Sequence, residues 1–161
     1  MAQIRPVGPG DEPLLRDLRL RALRADPQAF ASTAAEEAEL SDEEWASRAA
    51  AAEGVVLIAL QDGATVGMAG VRWFDGERRI ASLWGMWVDP SVRGSGTGRE
   101  LLVAVREWAA GHGGRFLRLG VLEGEREATG FYERLGFVRT GEERPFRRDP
   151  SRRAFWMVRP I

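Results

Sequence analysis

The sequence predicts one α/β or α+β sheet domain over residues 1–161. Its length of 161 residues fits a single domain. Short apolar runs with strand-like alternation are interspersed with segments of helical periodicity. In the middle of the chain, Ile80–Val88 leads through a glycine-rich turn straight into a helical pattern. A strand, a tight turn and a helix in this order are typical of domains in which helices cover a sheet. No internal repeat or interdomain linker interrupts the pattern.

Four segments are predicted to be helices from the spacing of their apolar residues. The first covers Glu12–Ala25 with Asp11 as its N-cap, and Asp26-Pro27 ends it because a residue before proline is pushed out of helical geometry. The second begins at Ser41, which has the capping-box spacing to Glu44. The other two are the segment containing Leu101, Leu102, Val105 and Trp108, and the segment Ala128–Leu135.

The remaining apolar runs are predicted to be strands. Asp62-Gly63 is a hairpin signal between two of them. We expect the polar, arginine-rich stretch Arg139–Arg153 to be a loop. The predicted strands are Gln3–Arg5, Val55–Leu60, Val66–Phe74, Ile80–Val88, Phe116–Leu122, a strand that begins at Phe137-Val138, and Phe155–Val158.

The composition excludes several kinds of function. The absence of cysteine excludes disulfides, thiolate metal ligands and a cysteine nucleophile, and the single histidine, His112, argues against a zinc site or a Ser-His-Asp triad. All 23 basic residues are arginine, and a formal net charge of -1 gives no reason to expect a nucleic-acid partner. The first residues lack a hydrophobic signal core, and no apolar stretch approaches the roughly 20 residues that span a bilayer. We therefore expect a cytoplasmic protein with no metal and no membrane partner.

The run Arg93–Gly98, RGSGTG, is predicted to cradle phosphate groups. The first N–H groups of a helix have no internal partners and carry the positive end of the helix dipole. Glycines allow the backbone to approach a pyrophosphate closely. Arg93 would add a charge-assisted donor, and Thr97 would offer a hydroxyl.

Two other phosphate-binding loops do not fit this run. A Walker loop requires Gly-Lys, and the chain has no lysine. A dinucleotide fingerprint requires a third glycine at the position that Arg99 occupies. A glycine-rich helix entry without any ligand stays open as the alternative.

With its flanking segments, the turn resembles the GCN5-related N-acetyltransferase (GNAT) family. The family signature is Arg or Gln, two residues, Gly, one residue, then Gly or Ala, and Arg93, Gly96 and Gly98 fit it. The segments Met86–Pro90 and Ala128–Phe137 are also typical, and the first half looks like a bacterial subgroup. The resemblance implies a mixed, mostly antiparallel sheet of about six to seven strands flanked by about four helices. Because dimers are common in the family, it also implies a homodimer.

The resemblance further implies how acetyl-CoA would be held and used. The pantetheine arm would pair with the backbone of Met86, Trp87 and Val88, where an N–H would polarise the thioester carbonyl. A neutral amine would attack directly, and Tyr132 would protonate the departing thiolate. The diphosphate would lie on Arg93, Gly94, Ser95, Gly96, Thr97, Gly98 and Arg99.

Two positions depart from the family pattern. Glu125 stands seven residues before Tyr132, where an asparagine is common, and Gly120 stands where some peptide-acetylating relatives carry a glutamate base. We therefore look for the general base in the acidic stretch before and within the second predicted helix. Glu36 and Glu37 are the preferred candidates there; the alternative is that the acids 42–44 complement the helix N-terminus and that the others are simply solvated.

The acceptor is expected to be the primary amine of a small molecule or peptide. Phe30, Trp45 and Trp84 are the candidates for the walls of its cleft. Two other functions stay open on the sequence alone. The domain would bind acyl-CoA without turnover as a sensor or interaction module, or it would be a nucleotide-dependent enzyme that uses the same turn.

Overall fold

The computed structural model describes residues 2–161, and its strands form one seven-stranded sheet. The strands are β1 (Gln3–Pro6), β2 (Gly54–Gln61), β3 (Ala64–Trp73), β4 (Ile80–Val88), β5 (Phe116–Leu122), β6 (Val138–Phe146) and β7 (Asp149–Pro160). The helices are α1 (Glu12–Ala25), α2 (Ala34–Ala38), α3 (Asp42–Ala50), α4 (Thr97–Gly111) and α5 (Arg126–Arg134).

The order of the strands across the sheet is β1-β2-β3-β4-β5-β7-β6. Every neighbouring pair is antiparallel except β4 and β5, which are parallel because α4 crosses over between them. This arrangement confirms the expected mixed, mostly antiparallel sheet.

Apolar residues cover both faces of the sheet, and each face has its own cluster. In β2, Leu57 belongs to the cluster beneath α4 and α5, whereas Ile58 belongs to the cluster beneath α1 and α3. The two residues face opposite ways because side chains alternate along a strand. On the second face, Leu18 and Trp45 are almost completely buried. None of the helices within residues 2–161 is long and apolar enough to cross a membrane.

Two elements differ from the sequence prediction. The predicted loop Arg139–Arg153 is wrong, since it forms most of the β6–β7 hairpin. Eight of the nine residues of β6 are exposed, so no core-facing alternation marks this edge strand in the sequence. The five-residue helix α2 is also absent from the prediction, because it is too short to show a helical period.

Candidate active site

A split between β4 and β5 opens the sheet near its centre. Ladder pairs join the two strands only at Ile80, Ser82 and the residue between them. Within the described residues no pair continues beyond Ser82, so the edge of Met86–Val88 that faces β5 has no strand partner. Apart from the Val88 carbonyl, which accepts from Arg93, the backbone N–H and C=O groups along that edge are therefore available to a ligand.

A bulge in β4 shapes the inner end of this opening. Met68 pairs with Trp87 and Gly70 pairs with Trp84, so two residues of β4 stand opposite Ala69. One of them, Gly85, has a φ of 63°, a left-handed conformation that favours glycine.

The glycine-rich turn lies at the outer end of the opening, where α4 begins. Gly96 is the N-cap with a φ of 95°, and the Glu100 N–H makes the first helical hydrogen bond to its carbonyl at 3.0 Å. The N–H groups of Thr97, Gly98 and Arg99 precede that bond and so have no partner further back in the helix. A Cβ on Gly98 would lie 3.3 Å from the ring of Phe131, which leaves little room for a side chain beside the turn.

Asp26 connects this turn to the end of α1. Its carboxylate accepts hydrogen bonds from the Trp87 indole at 2.7 Å and from the Arg93 guanidinium at 2.6 Å. Arg93 also donates to the Val88 carbonyl at 2.9 Å. The side chain of Arg93 therefore stabilises the turn, and it does not extend toward the site in the way we expected of a phosphate donor. Trp87 is buried on the α1 face, so only its backbone borders the opening.

Two adjoining cavities lie at the inner end of the opening. The larger has a volume of about 860 Å³ and the smaller about 150 Å³. Phe30, Trp84 and Gly85 line both cavities, and Phe30 and Trp84 are two of the three residues predicted for the walls of the acceptor cleft.

Tyr132 and Glu125 both line the smaller cavity. The Tyr132 ring is buried, with edge-on contacts to Phe131 and Phe137 at centroid distances of 5.3 Å and 5.6 Å. Burial raises the pKa of Tyr132 above its usual value, so its hydroxyl is protonated at neutral pH. Among residues 2–161, Glu125 is the only carboxylate that lines this cavity. In the sequence, Glu125 stands out only as a departure from the family pattern.

The two candidate bases have different surroundings. Glu37 is buried in a bidentate ion pair with Arg19 and also accepts from Arg48. Burial opposes its ionisation, but both guanidinium groups outweigh this effect and keep the pKa of Glu37 below its usual value. Such a carboxylate is a poor proton acceptor, which argues against our choice of Glu37 as the base. Glu36 is exposed, pairs with Arg147 at 3.0 Å and lines neither cavity.

Trp45 does not wall the acceptor cleft, contrary to the prediction. It is 2% exposed, lies in the core between α3 and the sheet, and lines neither cavity. The β6–β7 hairpin lines the larger cavity instead, with Arg144, Phe146 and Trp156. These residues escaped the sequence analysis because their segment was predicted to be a loop.

The comparisons with known proteins show the class to which this split sheet with a glycine turn at a helix start belongs. The sequence model of the Acetyltransferase (GNAT) family matches residues 18–137. The aminoglycoside N(6')-acetyltransferase type 1 of Stenotrophomonas maltophilia is 36% identical over 105 residues, which cover 61% of this chain and 69% of the relative. This chain therefore belongs to the GNAT family and is an N-acetyltransferase.

Two solved structures share the fold. A nourseothricin acetyltransferase superposes with a TM-score of 0.62 at 27% identity, over 67% of this chain and 65% of that one. This chain thus spans slightly less than two thirds of that protein. A structure from Salmonella typhimurium, with acetyl-CoA as its cofactor, superposes with a TM-score of 0.77 at 22% identity, over 99% and 94% of the two chains.

Proposed function

We propose that this chain transfers the acetyl group of acetyl-CoA to the primary amine of a small molecule or peptide by direct attack. The observation that carries this proposal is the continuity of the site. Met86 on the unpaired edge of β4 lines the smaller cavity together with Tyr132, and a Cβ on Gly98 of the glycine turn would lie 3.6 Å from the Met86 side chain.

The residues present fit the donor molecule. The N–H groups at the start of α4 suit a diphosphate, because they lack helical partners and carry the positive end of the dipole. The unpaired edge of Met86–Val88 suits the amide groups of a pantetheine arm. In this arrangement the ten cofactor residues predicted from Met86 to Arg99 act mainly through their backbone. Acetyl-CoA supplies an activated acyl group, and the protein supplies its orientation.

The protein groups have separate roles in the reaction. The neutral amine attacks the thioester carbonyl, so that a C–N bond forms while the C–S bond breaks. A backbone N–H of β4 stabilises the negative charge that develops on the carbonyl oxygen. Tyr132 gives its proton to the departing thiolate. Glu125 takes the proton that the attacking nitrogen loses, because it is the carboxylate that shares the smaller cavity with Tyr132.

Calorimetric titration with acetyl-CoA tests the donor site, with ATP and NAD as competitors at the same concentration. We expect acetyl-CoA to bind and neither nucleotide to displace it. Thiol release is then measured across a panel of amines. No detectable binding at millimolar acetyl-CoA would overturn the proposal. Binding without any acetylated amine would favour an acyl-CoA sensor.

A further inference from the structure

The larger cavity has an excess of positive charge. Five arginines and two glutamates line it, namely Arg19, Arg48, Arg72, Arg144, Arg147, Glu37 and Glu53. Glu36 offsets Arg147 from outside the cavity, and Glu53 pairs with Arg78, which does not line it. An acceptor with several ammonium groups would meet repulsion here, whereas an anionic group would be attracted.

Ion pairs between residues that line the larger cavity hold part of this excess positive charge in place. Arg19 donates to both oxygens of Glu37 at 3.0 Å, and Arg48 donates to one of the same oxygens at 2.5 Å. Two guanidinium groups therefore share one carboxylate, and the cluster retains one uncompensated positive charge. The Phe30 ring lies beneath the Arg19 guanidinium at 4.7 Å and limits its movement further.

Arg19 also has a hydrogen-bond donor that no other group in the described part of the chain accepts. Its side chain is 9% exposed, and its Nη1 has no hydrogen-bond partner within residues 2–161. Nη1 lies 3.3 Å from the point where a Cβ of residue 85 would stand, and glycine leaves that point empty. Arg19 lines the larger cavity and Gly85 lines both, so the unused donor lies beside the larger cavity and close to Gly85. A buried donor without a partner is unfavourable unless a ligand accepts its hydrogen bond.

We propose that the larger cavity selects an acceptor amine that carries a carboxylate, and that Arg19 Nη1 donates to that carboxylate. This inference rests on the proposed acetyltransferase function. Trp84, Phe146 and Trp156 line the same cavity and suit an apolar side chain on the acceptor. The acceptor class is thus a free amino acid or a similar small amine, and it differs in charge from an aminoglycoside, which carries several amino groups.

Matched pairs of acceptors test the inference in the unaltered protein. Phenylalanine, leucine and methionine are each compared with the corresponding amide, and kanamycin represents the polycations. We expect kcat/KM for each acid to exceed that for its amide by about tenfold or more, the usual range for a charge-assisted hydrogen bond. Titration of the same compounds into the complex of protein and CoA measures the preference without turnover.

Arg19→Lys isolates the donor, because it keeps a cation beside Glu37 but removes Nη1. We expect the ratio between acid and amide to fall toward one while acetyl-CoA binding is unchanged. Arg24→Lys, an exposed change in the same helix, is the matched control. Equal use of acids and amides, a preference for kanamycin, or no binding of any acid would overturn the inference. A protein that binds no acetyl-CoA would instead overturn the proposed function.

Discussion

The donor and acceptor halves of the site are built from different parts of the chain. The donor half consists of consecutive residues from β4 to the start of α4, and its useful groups are backbone N–H and C=O. The acceptor half brings together α1, α2, α3 and the β6–β7 hairpin, and its useful groups are side chains. A backbone site depends on local geometry, which a short motif encodes. A side-chain site depends on which distant elements pack together. Its side chains therefore differ from one protein to another, and they select the substrate.

The largest expected effect is on kcat, because it concerns the acetyl transfer that takes place between the two halves. Tyr132→Phe removes only the hydroxyl, so we expect kcat to fall by about 10²- to 10³-fold because the thiolate loses its proton donor. Calorimetric affinity for acetyl-CoA should be nearly unchanged, since the ring keeps its packing. An unaltered kcat would show that another group protonates the thiolate.

The buried ion pairs of Glu37 in the acceptor half should contribute strongly to the stability of the folded protein. Glu37→Gln leaves two guanidinium groups without their carboxylate, so we expect the free energy of unfolding to fall by about 3 kcal/mol. Glu36→Gln, an exposed change on the same helix, should cost about 0.5 kcal/mol or less. Urea denaturation of both variants measures the difference, and similar losses would contradict the buried role of Glu37.

The same pair makes stability depend on pH in a defined direction. The pKa of Glu37 is lower in the folded state than its ordinary value of 4.5. Its contribution is therefore complete above that value and is lost as the pH falls through the lower, folded value. Denaturation midpoints of the wild-type protein and Glu37→Gln should converge on acidification. A constant difference across the acidic range would disprove the linkage.

Glu125→Gln tests the proton acceptor in the smaller cavity. Because the attacking nitrogen would then lose its proton to water, we expect kcat to fall by about 10- to 100-fold near neutral pH. The loss should persist at higher pH, because even a neutral amine must lose a proton once the C–N bond has formed. Glu127→Gln lies in the first turn of α5 outside both cavities and serves as the matched control. Equal rates for the two variants would remove Glu125 from the mechanism.

The donor half should respond to a single backbone change. Gly96 has a φ of 95°, which costs another residue about 1–2 kcal/mol, so Gly96→Ala should weaken acetyl-CoA binding by about tenfold. Gly76→Ala in a different turn, where a Cβ would meet nothing within 4 Å, is the control. Calorimetry separates the two, and unaltered affinity in Gly96→Ala would show that the turn does not hold the diphosphate.

The sequence predicted the strand, turn and helix of the donor half but missed the hairpin that lines the larger cavity, for physical reasons. Ile80–Val88, the glycine turn and the following helix are marked by local signals, namely apolar spacing and glycines. These signals can be read without knowing which distant elements pack nearby. The β6–β7 hairpin has its charged residues exposed at a sheet edge, so its pattern is indistinguishable from that of a loop. Trp45 is an aromatic residue of the kind that often lines a cleft, but the packing of α3 against the sheet places it in the core.

Arg19 shows most clearly why the sequence alone does not predict the residues of the acceptor half. In the sequence it lies between Leu18 and Leu20, and an arginine on an amphipathic helix is ordinarily assigned to the solvent face. In the structure all three residues are buried, because α2 covers the side of α1 on which Arg19 lies. The partner that makes this burial tolerable, Glu37, is 18 residues away, and no local pattern connects the two.

The Arg19–Glu37–Arg48 cluster also affects how a ligand binds. A free arginine side chain samples many rotamers, and fixing it costs conformational entropy. Glu37 and the Phe30 ring already fix Arg19 in the folded chain, so that entropy is lost during folding rather than during binding. The cavity is therefore preorganised, and an acceptor of the right charge gains affinity without first ordering the residue that recognises it.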